Sequence, residues 1–432
     1  MASMIKEGGT DLAKGIHERL EQRRRELKEL RTRHMRAYER SLQQAREEGK
    51  PTVWALSLMP VEIMRAMDLA VYYPELETAA STVTGKAGYF CETAEQIGGL
   101  SRDLCSLMRG VIGTMYKDER SQGRFLPHPD LVIGEGSQCD AFAKGWEVVG
   151  RYYGVPLFRV EGAFCLNGKI NEHQLQWGAS ELERMVAFIE EHVKSKFRMG
   201  RLKEIMSLSA KAASIVQKIL EYMKAIPEPR GMVDYLRDWN YLIVFLGTEE
   251  AVEYWSLVLE DVKERVENGI GCVENERFRL IYDQGPIYHM FDWYEYLQNK
   301  GAVVCFAPNW FGLGYMGMYF DGYMIDPEKP FESLALKHFY SHLNVSLPVQ
   351  IGRYIRIIKE WHIDGVIIPA HTTCKIYSQS AFEKARTLRE QCNIPSLVFD
   401  IDCFDERDTD KNKIMRDTDQ FLEILESSKR RS

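Results

Sequence analysis

The chain has no Cys-x-x-Cys pair, although it carries nine cysteines, at 91, 105, 139, 165, 272, 305, 374, 392 and 403. Thiols of odd number and wide spacing exclude a small disulfide framework and any compact ferredoxin-type run. A reducing, cytoplasmic setting is expected. Long apolar runs are also missing, and none approaches the roughly 20 residues that cross a bilayer, so no membrane span is expected. The opening MASMIKEGGTDLAKGIHERLEQRRR has no apolar core segment and does not read as a secretory leader. Positive charge is not in excess: 56 Lys and Arg stand against 63 Asp and Glu, a net charge of −7. That balance argues against a nucleic-acid partner, which would need a surplus to neutralise phosphates. No GxxxxGK[ST] loop occurs, so this chain is not expected to hydrolyse ATP itself.

What is present is an ordinary globular composition, 45% hydrophobic and 28% charged over 432 residues. The first 50 residues are dense in Arg, Lys and Glu. Leu20, Leu27, Leu30, Met35, Tyr38 and Leu42 recur at near-helical spacing, which predicts a long, exposed helix, solvated or facing a partner. From Thr52 short apolar runs alternate with amphipathic segments. TVWALS (52–57), DLVIGEG (130–136) and VPLFRV (155–160) read as buried strands, with helices around 60–70, 86–117 and 139–152. Residues 171–270 read as successive helices. Strand-like runs return at FRLIYD (278–283), AVVCFAP (302–308), DGVIIPA (364–370) and PSLVFDID (395–402). The expected fold is α/β, with two Rossmann-like parallel-sheet lobes, a helical insert and an N-terminal helix. The predicted boundaries are 1–50 for the helical segment, 51–170 for the first lobe, 171–275 for the insert and 276–432 for the second lobe. No internal repeat stands out in the residues.

On that map three cysteines fall where helices begin. Cys139 follows DLVIGEG in the turn GSQCD, and Cys374 follows DGVIIPA in the turn HTTCK. Cys105 opens a helical pattern in SRDLCSLMRG. Free N–H groups and the helix dipole at such points favour thiolate and can hydrogen-bond cluster sulfurs. Any one of them alone reads as a buried, inert cysteine. Two at equivalent strand-to-helix turns in opposite lobes are harder to read that way. Zinc on His371 and Cys374 is a weaker alternative. The other six look structural: Cys305 lies in a strand run, Cys91 and Cys392 lie in helical patterns, and Cys165, Cys272 and Cys403 lie near loops with no partner at ligand spacing.

Gly312-Leu-Gly314-Tyr-Met-Gly317 matches the dinucleotide pattern GxGxxG. The aromatic, Gly- and Pro-broken stretch after it is not a helix, so it reads as a loop. Ser57 ends the first strand run, and Glu75 follows in YYPE; a helix cap and a solvated loop acid are their plain readings.

The blocks WALSLMPVEI, YYPELETAA, AEQIGGLSRDLCSLMRG, PDLVIGEGSQCDAFAKGWE, DGVIIPAHTTCK and IPSLVFDIDCFDER resemble catalytic subunits of the 2-hydroxyacyl-CoA dehydratase and benzoyl-CoA reductase family. The resemblance runs from about residue 50 to the C-terminus. It implies a [4Fe–4S] cluster on Cys105, Cys139 and Cys374, with one iron lacking a cysteine. It also implies a coenzyme A thioester as substrate, a related cluster-bearing subunit forming a heterodimer, and a separate ATP-hydrolysing iron–sulfur activator. Ser57 and Glu75 match a serine and a glutamate that the dehydratases place near substrate. Glu75 is then the expected proton carrier, Ser57 a hydrogen-bond donor and His371 a lower-ranked acid. The stretch GTEEAVEYWSLVLEDVKERVENGIG, with ERFRLIYDQGP, GAVVCF and NVSLPVQ, is more similar to the larger cluster subunit of benzoyl-CoA reductases. His371-Thr372-Thr373 stands where dehydratases have Asn-Arg-Ser, and CFDER departs from their Asp-Pro-Arg. The expected reaction is one-electron reduction of an aryl- or acyl-CoA thioester through a ketyl radical. A (R)-2-hydroxyacyl-CoA dehydratase subunit is the alternative, and a non-catalytic electron-transfer protein the second.

Overall fold

The computed structural model describes residues 2–121, 123, 126–308 and 320–430, with side chains from Gly15 onward. Strands β1 (Thr52–Ala55), β2 (Ala70–Tyr72), β3 (Leu131–Glu135) and β4 (Leu157–Val160) form one sheet in the order β2-β1-β3-β4. Strands β5 (Phe278–Tyr282), β6 (Ala302–Phe306), β7 (Gly365–His371) and β8 (Ser396–Ile401) form a second, ordered β6-β5-β7-β8. Every pairing is parallel. Helices cover both faces, which is why β3, β5, β6 and β7 are buried at every residue and read as unbroken apolar runs. The α/β fold with two parallel-sheet lobes is therefore present. The two sheets share one strand order: along the chain, an inner strand, the edge beside it, the second inner strand and the other edge. This repeat of architecture was invisible in the residues.

Several local expectations change. The pattern at 60–70 is a short helix, Val61–Ala66, followed by β2. Three residues are too few to show a strand period, and β2 exists because Thr52, Val53 and Trp54 pair with it. The pattern at 86–117 splits at Gly99, which takes a positive φ, into helices Ala87–Gly98 and Ser106–Lys117. These two touch backbone to backbone: a Cβ on Gly113 would lie 1.9 Å from the Phe90 carbonyl oxygen. The stretch after β7 is likewise two helices, Lys375–Ser378 and Ala381–Cys392.

The N-terminal helix spans Ala2–Glu47 and is not exposed all round. Leu20, Leu27 and Leu30 are buried. Helix Glu249–Glu267 lies alongside, with Arg19 Nε 2.7 Å from Glu264 Oε1 and the Arg31 guanidinium donating to the Tyr254 hydroxyl at 3.1 Å. The partner this helix faces is thus part of the same chain. The GxGxxG pattern at 312–317 lies outside the described residues. Among the described residues no helix is long and apolar enough to cross a membrane.

Candidate functional site

In an open parallel sheet the loops leaving the two central strands diverge, and ligands settle in the crevice between them. Here the central strands are β1 and β3 in one lobe, β5 and β7 in the other. Ser57 follows β1, Cys139 follows β3, Gly285 follows β5, and His371 ends β7 with Cys374 just beyond. All five line one cavity of about 130 Å³ between the lobes, together with Cys105. The structure thus brings together five of the six residues singled out in the sequence. Glu75 does not line that cavity. It stands behind Ser57.

Each of the three cysteines occupies the residue before a helix: Cys105 before Ser106–Lys117, Cys139 before Asp140–Tyr153, Cys374 before Lys375–Ser378. The N–H groups of Leu107 and Met108 favour a thiolate at Cys105, those of Ala141 and Phe142 at Cys139, and that of Tyr377 at Cys374. Burial opposes them and wins. It pushes the Cys105 thiol up to about 12 and raises Cys139 and Cys374 as well. The charges that act most strongly on Cys105 and Cys374 are other thiolates and Asp402, all of the same sign. Three half-buried thiols that would repel one another when ionised are a donor set in want of positive charge, which bound iron or zinc would supply. Among the described residues no group of three or more His, Cys, Asp or Glu is gathered tightly enough for a metal ion as it stands. The thiols line the walls of a cavity and do not converge on one point.

The turns that present them are held by carboxylates that the sequence does not single out. Glu135, at the end of β3, accepts from the Ser137 N–H at 2.5 Å and the Cys139 N–H at 3.0 Å, and from Gln138 N–H as well. Asp402, after β8, accepts from the N–H groups of Phe404 and Asp405, both at 2.9 Å. A carboxylate two to four residues from a turn of free N–H groups was the available signal in GEGSQC and DCFDE.

Glu75 is buried in the first turn of helix Pro74–Val83, not a solvated acid. Its Oε1 accepts from the Ser57 N–H, and the Ser57 side chain also bonds to the carboxyl group. Its Oε2 has no partner among the described residues. Burial lifts Glu75 from 4.5 to about 7, against those two bonds. His371 is fully buried. Its Nε2–H donates to the Gly285 carbonyl at 3.0 Å, which leaves Nδ1 as the acceptor, and burial holds the ring neutral.

Cys403 reads in the sequence as a structural thiol without a partner. The structure places it in the same cavity, with Sγ 3.2 Å from His371 Nδ1 and 3.1 Å from Nε2. Sequence distance hid this, because β7 and β8 are neighbours only in the sheet.

The profile of the 2-hydroxyglutaryl-CoA dehydratase D-component family matches residues 56–425, almost the whole two-lobed body and every residue of the cavity. This chain belongs to that family. The D-component match brings named relatives. A benzoyl-CoA reductase subunit of Thauera aromatica is 24% identical over 382 residues, covering 85% of this chain and 87% of that protein. The (R)-phenyllactyl-CoA dehydratase alpha subunit of Clostridium sporogenes is 22% identical over 84% of this chain and 87% of its own length. The (R)-2-hydroxyisocaproyl-CoA dehydratase alpha subunit of Clostridioides difficile is 22% identical over 89% and 93%. The D-component family is one of enzyme subunits that reduce or dehydrate coenzyme A thioesters, and this chain is a member of that enzyme class. At these identities reductase and dehydratase relatives stand level.

Proposed function

We propose that this chain is the [4Fe–4S] subunit of an ATP-dependent aryl- or acyl-CoA thioester reductase of the benzoyl-CoA reductase type. One observation carries it: Cys105, Cys139 and Cys374 come from three separate helix starts to the walls of one inter-lobe cavity, beside Ser57 and His371. The thiols fit a cluster, since each has helix N–H groups that favour thiolate while the charges acting most strongly on it are negative. When bound, the cluster supplies one electron at a time and an electrophilic iron.

The chain's own residues then handle substrate and proton. Ser57 lines the cavity, and its hydroxyl would donate to a thioester or hydroxyl oxygen. Glu75, lifted to about 7, can take up and release a proton near neutral pH and would pass it through Ser57, since it has no wall of its own on the cavity. His371, held neutral with its N–H on the Gly285 carbonyl, orients the loop around Cys374 and ranks below Glu75 as an acid. Apolar Phe142, Leu107 and Leu343 keep bulk water from that space. A related cluster-bearing subunit and a separate ATP-hydrolysing activator complete the assembly. The relatives are themselves named as subunits, which supports a multi-subunit complex.

The reductase reading rests on the segments 247–271, 276–286, 301–306 and 344–350 and on His371-Thr372-Thr373. The dehydratase alternative rests on Ser57 and Glu75 and on the alpha-subunit relatives. Anaerobic purification with co-expressed neighbours decides between them. About four irons per chain are expected, lost in Cys105→Ser, Cys139→Ser and Cys374→Ser and kept in Cys91→Ser and Cys392→Ser. With activator and ATP, benzoyl-CoA should be consumed faster than a 2-hydroxyacyl-CoA. The reverse ranking replaces the reductase reading by the dehydratase one. A four-iron cluster that turns over neither leaves an electron-transfer protein.

A further inference from the structure

We propose that Tyr73, Glu62 and Lys337 form a proton relay that refills Glu75 from a crevice outside the cavity. The inference rests on the reading of Glu75 as the proton carrier and gives that carrier its source. None of the three lines the cavity, so they act through Glu75 and not on substrate.

A buried carboxyl group that gives up a proton in each cycle has to recover one. Glu75 Oε1 is taken by Ser57, which leaves Oε2, an oxygen with no partner among the described residues. Two more buried oxygens share that condition, the Tyr73 hydroxyl and Glu62 Oε2. Tyr73 lies near enough to both carboxylates for their charges to act on it. Buried oxygens without protein partners are costly and are ordinarily met by water. Water bridging these three satisfies them together and joins them into one chain.

The other groups whose charges act most on Tyr73 are already engaged. The Tyr38 hydroxyl donates to the Val71 carbonyl at 2.9 Å. Arg65 donates through Nε to the Leu246 carbonyl at 3.0 Å and through Nη2 to the Val244 carbonyl. Burial raises the Tyr73 hydroxyl well above its ordinary value, so it keeps its hydrogen and can donate on one side while it accepts on the other. Glu62 leads outward. Its Oε1 accepts from the Ser209 hydroxyl and from Lys337 Nζ, each at 3.1 Å. Lys337, in helix Pro330–Phe339, is 10% exposed. With Leu58 and Pro60 it lines a crevice of about 20 Å³, room for a single water.

The transfer balances without an electron. Emptied Glu75 takes the hydrogen of the Tyr73 hydroxyl, the Tyr73 oxygen takes one from the Glu62 side, and Lys337 passes a proton from crevice water to Glu62. Each bond to hydrogen that breaks at one site forms at the next.

The test reads Glu75 itself, in the anaerobically purified protein. The carbonyl stretch of protonated Glu75, assigned by its loss in Glu75→Gln, shifts down when deuterium replaces the proton. Rapid dilution into deuterated buffer below the value of about 7, followed by infrared spectroscopy, times that exchange. Tyr73→Phe should slow it about tenfold or more. The pair Glu62→Gln with Lys337→Met, which removes both charges together, should do the same. Tyr72→Phe removes an equally unpartnered hydroxyl whose main charged neighbours are Arg120 and Glu77, and it should change nothing. With activator and ATP, kcat of Tyr73→Phe should fall while KM and iron content stay at wild-type values. Exchange at the wild-type rate in Tyr73→Phe overturns the relay, and so does equal slowing in Tyr72→Phe. Absence of the band in wild type would show Glu75 ionised and sink the idea as well. Should Tyr73→Phe fail to fold, the Glu62 and Lys337 pair decides by the same measurement. Slowed exchange in a protein that turns over neither thioester class removes the enzymatic reading and leaves the relay standing.

Discussion

The Ser106 N–H donates to Thr373 Oγ1 at 3.3 Å, across the gap between the two lobes. The residue after Cys105 is thereby tied to the residue before Cys374. Thr373 passes the tie on, since its hydroxyl hydrogen goes to Asp402 Oδ2 in the Cys403 turn. One threonine links the turns of three cavity cysteines. Thr373→Val keeps the shape and removes the bonds, at a cost of about 1–3 kcal/mol for the groups left unpaired. Its far-ultraviolet circular dichroism should match wild type, while iron retained after anaerobic gel filtration should fall. Full retention would mean that the tie does not set the thiol spacing.

Glu75 should leave a mark on the pH dependence of stability. Its folded value, about 7, lies above the ordinary 4.5, so between those values the folded chain binds more proton than the unfolded chain. Its contribution is fully present below about 4.5 and is lost as pH rises through 7. A glutamine in its place cannot ionise and carries no such loss. The melting temperature of Glu75→Gln relative to wild type should therefore rise from pH 5 to pH 8, by the equivalent of on the order of 1–3 kcal/mol. A difference that stays constant or moves the other way would show that Glu75 is ionised at pH 5.

A buried ion cluster joins the lobes beside the cavity. Arg109, 1% exposed, lies 2.9 Å from Asp405 and 2.5 Å from Glu95, and Arg407 pairs with the same two acids. Removing one member of such a set leaves buried charge uncompensated, typically about 3–5 kcal/mol. Because Arg407 remains, Arg109→Met should sit near the lower end. The urea midpoint should drop accordingly with the slope unchanged, and a loss under about 1 kcal/mol would show that Arg407 suffices alone.

Packing under Cys105 is testable with single methyl groups. Gly113→Ala forces the helices Ala87–Gly98 and Ser106–Lys117 apart, because the new Cβ would meet the Phe90 carbonyl oxygen. A loss of about 3 kcal/mol or more is expected. Gly200, exposed in helix Met199–Tyr222, has nothing within 4 Å of its added Cβ. Gly200→Ala should be neutral or about 0.5 kcal/mol more stable. Equal effects at both positions would remove the close helix contact as the cause.

The strands that build the cavity were legible because burial on both faces turns a parallel strand into an unbroken apolar run. DLVIGEG and DGVIIPA could be found for that reason, and the cysteines one turn beyond them with it. β2 was not legible, because a three-residue edge strand has no period of its own. Nor was the packed face of the N-terminal helix, since leucines at helical spacing do not say what they meet. Glu135 and Asp402 were not singled out, because their part shows only once the N–H groups they accept from are in place.

By itself the sequence determined most of the elements: seven apolar strand segments, the helices after them, and a thiol at three helix starts. These are local matters of propensity, spacing and free N–H groups. The tertiary structure alone decided that the three starts face one cavity, that Glu75 is buried behind Ser57, and that Cys403 meets His371. Those relations depend on strand order, and parallel pairing sets as neighbours residues whose separation along the chain carries no trace of it.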